Sequence, residues 1–178
     1  MELVTAAILF GLLVVYQIKH FLADYPLQGQ FMLGKFSKDW KVWIPALSAH
    51  AGIHAWFTLT IAVYFMDFFR PDVNWRLAIW LAVLDFVVHF TMDRIKASPD
   101  MLGRFKPLDA NSYMNMLSII KEGNESIKVL GYPENYNTYV AAIKRMRHNS
   151  FFWWALGFDQ MVHHLTHYGI IYLLLGLS

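Results

Sequence analysis

Four stretches of this chain set histidine and aspartate at four-residue intervals inside runs that are otherwise apolar, and no other feature constrains the fold as much. His20, Asp24 and Gln28 form the first set, and His50 and His54 the second. Asp85, His89 and Asp93 form the third, and Asp159, His163 and His167 the fourth. On a helix an interval of four turns a side chain by about 40° and lifts it by about 6 Å, so each set makes one stripe on one face. Polar stripes on four apolar helices can be buried together only inside a bundle.

The apolar runs have membrane dimensions. They cover about 3–25, 44–69, 75–93 and 151–177, and each can reach the ~20 residues that cross a hydrocarbon core. Of the residues 57% are hydrophobic and 16% charged, where soluble domains sit near ~45–50% and ~25%. The expected fold is a single all-α membrane domain over 1–178, with about four transmembrane helices and a short helical cytoplasmic insertion over 94–150. A soluble all-α protein with a polar core is the alternative. The first run carries Glu2 where a leader would be basic and lacks a small-residue cleavage pattern, so it reads as a retained helix.

Basic residues are unevenly placed. Lys35, Lys38 and Lys41 follow the first run, and nine more between Arg94 and Arg147 follow the third; only Arg70 and Arg76 lie between the second and third. Positive charge retained in the cytoplasm puts the first and third connections there and the termini outside. All four stripes then fall in the cytoplasmic leaflet, near the C-terminal ends of the first and third spans and in the N-terminal halves of the others. Within the insertion, Asp109 or Asn111 is expected to cap a helix through Ile120 that Gly123 stops, and a second helix is expected over Glu134 to about Met146. Tyr113, Met114, Leu117 and Ile120 give the first of these an apolar stripe that suits the membrane surface.

Intramembrane ionisable groups are costly, about 2.5–3.5 kcal/mol each on insertion scales, and they face protein and mark function. Imidazole and carboxylate are ligands of zinc, manganese and iron. The candidate metal ligands are His20, His50, His54, His89, Asp93, His163 and His167, with Asp24, Asp85 and Asp159 as catalytic bases or further ligands. Ten such groups exceed a four-ligand structural zinc site and imply two ions, or one ion with carboxylates orienting its histidines. The expected cofactor is a divalent metal, zinc or manganese first and iron as the alternative. The plainer reading is that histidine and aspartate only pair across helices. Gln28, Gln160 and Thr58 read as hydrogen-bonders and His164 as a flanking residue, and Asp93 could simply neutralise Arg94 and Lys96. Trp153 and Trp154 read as interfacial anchors. The chain has no cysteine, which excludes thiolate chemistry and disulfides.

Four segments carry a resemblance: His20 through Gln28, His50 through His54, His89 through Lys96, and Asp159 through His163. In this ordered set the chain resembles the bacterial and phage membrane proteins of domain of unknown function 3307. The stretch from Phe151 to Tyr168 looks most like the phage-encoded members. The resemblance implies a multi-pass protein of the bacterial cytoplasmic membrane, and it implies no activity.

The residues support three functional expectations. The first is a metal-dependent hydrolase acting on a lipid or phosphorylated amphiphile at the cytoplasmic face. The second is an iron-dependent membrane oxidoreductase, from the likeness of His50-xxx-His54 and His163-His164-xx-His167 to desaturase histidine boxes, although those use few carboxylates. The third is a non-enzymatic phage-type effector or a metal or proton carrier. Membrane lipid is the expected partner, a net charge of +2 does not suggest nucleic acid, and a homo-oligomer stays open.

Overall fold

A computed structural model describes residues 2–131, 133 and 135–176. Among these the chain is entirely helical, with five α-helices: α1 (Glu2–Asp24), α2 (Trp40–Phe69), α3 (Arg76–Ala97), α4 (Ala110–Leu130) and α5 (Tyr136–Leu175). Short 3-10 segments at Gln30–Phe36 and Leu102–Arg104 follow α1 and α3. Helices α2 and α3 pack along each other, and α1 and α5 close the bundle. The Gln30–Phe36 segment folds back over the start of α2, where Gly34 lets two backbones approach: a Cβ there would stand 3.1 Å from that of Ala46.

Several boundaries differ from the expected ones. Helix α2 begins at Trp40 rather than near Ile44, because Asp39 caps it by accepting from the Lys41 amide at 2.9 Å. Pro45 falls inside the helix and leaves the Lys41 carbonyl without its helical donor. Asp109 caps α4, its two oxygens accepting from the Ser112 amide and hydroxyl at 2.9 and 2.7 Å, and these bonds hold its carboxyl below the usual carboxylate range.

Gly123 does not stop α4. The helix continues to Leu130 and ends at Gly131 in the left-handed region, φ 74°. Gly123 is instead a contact glycine, since a Cβ there would drive into the Tyr139 ring on α5. The expected second insertion helix and the fourth span are also one element. Helix α5 runs unbroken for 40 residues, because Arg147–Ser150 offers no proline or glycine to interrupt it. At 1.5 Å per residue α5 is about 60 Å long, twice a hydrocarbon core of ~30 Å. Its first part therefore projects beyond the bundle and pairs with α4. Glu134 and Leu177, expected element ends, lie outside the described residues.

Helices Val4–Asp24 and Trp40–Phe69 are long and apolar enough to cross a membrane. Helices α3 and α5 are not among them; the bundle buries Asp85, His89 and Asp93 on one and Asp159, His163 and His167 on the other. Their exposed faces carry Trp80, Val83 and Val87, and Trp154, Phe158 and Leu165. One end of the bundle interior is an apolar core of Leu12, Tyr16, Phe65, Leu81, Ile170 and Leu174 with its neighbours. The other end is polar.

Candidate metal centre

The four stripes meet. All six stripe histidines are buried. The His54 and His89 rings stack with centroids 3.7 Å apart, and His163 meets His89 edge-on at 4.0 Å. His20 lies 5.5, 5.9 and 5.4 Å from His54, His89 and His163. Residues from positions 20 to 167 are thus gathered by helix register alone, each helix contributing the face its four-residue spacing defines.

Four triads have ligand atoms lying within 4.8 Å of one another: His20–His54–His89, Asp24–His50–His54, Asp85–His89–His167 and Asp93–Asp159–His163. All ten residues expected at the site therefore stand in at least one group that could hold a metal ion. The triads differ in one respect, which is the presence of lysine.

Lys19 Nζ donates to Asp85 Oδ2 at 2.7 Å and lies 3.1 Å from His167 Nε2. The Thr58 hydroxyl donates to the same Asp85 oxygen at 2.8 Å. Lys96 Nζ donates to Asp159 Oδ2 at 2.6 Å and lies 3.2 Å from Asp93 Oδ1. Lys35 Nζ donates to Asp93 Oδ2 at 3.1 Å and to Gln28 Oε1 at 2.8 Å. Asp93 thus does more than neutralise its neighbours in sequence, because His50 Nε2 also stands 2.8 Å from its Oδ2. Three of the four carboxylates already have a cation built into the chain.

Asp24 has none. Its Oδ1 faces His54 Nε2 at 3.1 Å and His50 Nε2 at 3.5 Å, and its Oδ2 faces His20 Nε2 at 3.3 Å. A charge-assisted bond between such groups is normally about 2.7–2.9 Å. Ligand atoms held at about 2.0–2.1 Å by a tetrahedral zinc stand about 3.3–3.4 Å from one another. The spacing around Asp24 fits the edges of a coordination polyhedron as well as it fits hydrogen bonds, and the lack of a lysine is what sets this carboxylate apart. His20 is held in turn by Gln160 Oε1 at 3.1 Å from the same Nε2.

Helix pairing alone leaves much of the centre unsatisfied. Buried atoms without a hydrogen-bond partner include Nδ1 of His20, His50, His54 and His167, Nε2 of His89, both ring nitrogens of His163, and Oδ1 of Asp85 and Asp159. An orphaned buried polar atom costs about 1–3 kcal/mol. Such a concentration in one centre suits polar or ionic guests.

Lys19, Lys35 and Lys96 are the site residues that the four-residue spacing does not reveal. Lys96 had a signal, since it lies seven residues beyond His89 and so on the same helical face. Lys19 sits one residue from His20, off the stripe, and pairs across 66 positions with Asp85. Lys35 arrives from a 3-10 segment whose path is set by tertiary packing. His164 flanks the site, its Nδ1 lying 3.2 Å from Gln17 Nε2. No family model, curated protein or solved structure matches the chain, so its side chains carry the functional reading by themselves.

Proposed function

We propose that this protein is a membrane-embedded metal-dependent hydrolase whose centre lies at the cytoplasmic ends of four spans. The observation that carries the reading is Asp24 with His50 and His54, one carboxylate and two imidazoles whose ligand atoms lie within 4.8 Å of one another, with His20 at the other carboxylate oxygen and no lysine. A divalent ion held there would supply a water of lowered pKa as nucleophile near neutral pH. Asp93 and Gln160 stand at the Nε2 atoms of His50 and His20 that also face Asp24, so an ion bound by those nitrogens would take the place of these contacts. Asp85, locked by Lys19 and Thr58, braces the deep side of the centre. Asp159 keeps Oδ2 on Lys96 and leaves Oδ1 free, which suits a base that takes a proton from water and returns it to a leaving oxygen.

The inside-out character of α3 and α5, which bury their aspartates and histidines and expose tryptophan and aliphatic residues, supports reading them as two further crossings. For orientation, Lys35 and Lys96 are removed from the loop count because each is paired with a buried aspartate. Ten basic residues then remain in the two connections expected in the cytoplasm, against Arg70 and Arg76 in the other. The asymmetry survives. A carrier is disfavoured by the packed apolar residues, Leu81, Ile170 and Leu174 among them, that fill the far half of the interior.

Elemental analysis of protein purified in detergent, before and after chelator, tests the reading. It expects a stoichiometric divalent metal that chelator removes. Protein that never carries metal, yet folds and inserts, would return the centre to helix pairing.

A further inference from the structure

The polar centre opens on a cavity of about 170 Å³ whose walls include Asp24, Lys35, Lys96 and Gln160. Against it lies a second cavity of about 280 Å³, formed where Leu102–Pro107 crosses α5. The two share three residues, Phe36, Lys96 and Leu156, so one wall separates a charged mouth from an apolar groove. Phe105, Phe152 and Ala155 line the groove, its charged residues are Lys96 and Lys106, and no acidic side chain lines it. Trp153 and Trp154 stand exposed beside Phe152, at the level where interfacial tryptophans anchor a helix.

We propose that the groove holds the chain of a single-chain lipid phosphate, with its phosphate monoester at Lys106 on the side of the Asp24–His50–His54 centre. This rests on the hydrolase reading and names its substrate class. Apolar walls with an exposed lysine, Lys106, at the rim suit an amphiphile with an anionic head. The groove is at the small end of ligand clefts, which begin near ~300 Å³, so it suits one chain better than two. The charge complements a phosphate rather than an ammonium head, because the groove wall carries the exposed Lys106 and no carboxylate, while Lys96 beside it is already paired with Asp159 and Asp93. In the reaction, a water oxygen bonds to phosphorus, the ester P–O bond breaks with its electrons on the leaving oxygen, and the proton from water ends on that oxygen. The products are the lipid alcohol and inorganic phosphate.

The test uses full-length protein in nanodiscs of zwitterionic phosphatidylcholine, with dodecyl phosphate, dodecanol and inorganic phosphate as separate probes and metal content measured on each sample. Dodecyl phosphate should bind saturably and more tightly than either other probe. Ala155→Trp, which fills the groove, and the exposed Lys106→Glu should each weaken dodecyl phosphate by about tenfold or more. Both should keep the metal content of the wild type; Ala155→Trp should also keep its inorganic phosphate affinity, whereas Lys106→Glu should lower it. Equal affinity for dodecanol, equal affinity for inorganic phosphate, or indifference of both variants would overturn the proposal. Should Ala155→Trp fail to fold, Lys106→Glu decides alone. The two readings separate cleanly: metal without groove-dependent binding sinks only the substrate class, and groove-dependent binding without metal sinks only the hydrolase.

Discussion

Asp24 on α1 stands 3.1 Å from His54 on α2, and it is the one carboxylate of the buried centre that no described lysine contacts. Lysine and metal compete for the same lone pairs, so an ion should enter where no ammonium is already bound. Asp24→Asn and His54→Ala should therefore each strip metal from the purified protein, whereas Lys19→Met should leave it in place. Metal should also leave on acidification, since imidazole must be neutral and carboxylate ionised to bind. Retention of full metal by Asp24→Asn would move the ion to another triad.

Lys19 and Asp85 are fully buried and 2.7 Å apart. Breaking such a pair strands one charge, typically at about 3–5 kcal/mol, whereas replacing both partners with apolar residues is often neutral. Lys19→Met should lower the thermal midpoint clearly, and Lys19→Met with Asp85→Leu should recover much of the loss. Equal midpoints for Lys19→Met and wild type would show that the pair carries no strain-bearing charge.

The centre was legible in sequence because helix periodicity is local: spacing of four fixes a face, and four polar faces in apolar helices have one place to go. The lysines were not legible for the same reason. Lys35 reaches Asp93 from the short 3-10 segment across 58 positions, and no periodicity encodes that path. Helix ends were read least well where glycine was involved. Gly123 and Gly131 look alike as punctuation, and only the Tyr139 ring distinguishes a contact glycine from a left-handed one. The unbroken α5 was missed because Arg147, His148, Asn149 and Ser150 are polar enough to resemble a loop, yet none of them stops a helix.

That glycine contact gives a local test. Gly123→Val should push Tyr139 away and loosen the α4–α5 hairpin, with a cost of about 1–3 kcal/mol, the usual range for overpacking. Hydrogen exchange should rise in Ala110–Leu130 and in the first part of α5, while the amides around His163 stay protected. Exchange unchanged in α4 would mean the hairpin does not depend on this contact.

Orientation is tested by reporters. One inserted near Asn124 should report the cytoplasm, and one fused after Ser178 the opposite side. Two reporters in the same compartment would remove one crossing and with it the shared leaflet of the four stripes.

Asp159 separates ligand from base. Its Oδ2 accepts from Lys96 at 2.6 Å and from Gln160 at 3.2 Å, while Oδ1 stands 3.4 Å from His163 and accepts no hydrogen bond. A base needs a free oxygen on the side where water is activated. Asp159→Asn keeps the shape and removes the basicity, so it should preserve metal content and dodecyl phosphate binding. Release of inorganic phosphate from dodecyl phosphate should fall by about 10²–10⁴-fold, the usual weight of general base catalysis. The pH–rate profile should also lose its acidic limb, which a merely structural defect would leave in place. If Asp159→Asn instead loses metal to the same extent as Asp24→Asn, Asp159 is a ligand, and the ion sits with Asp93 and His163, displacing Lys96.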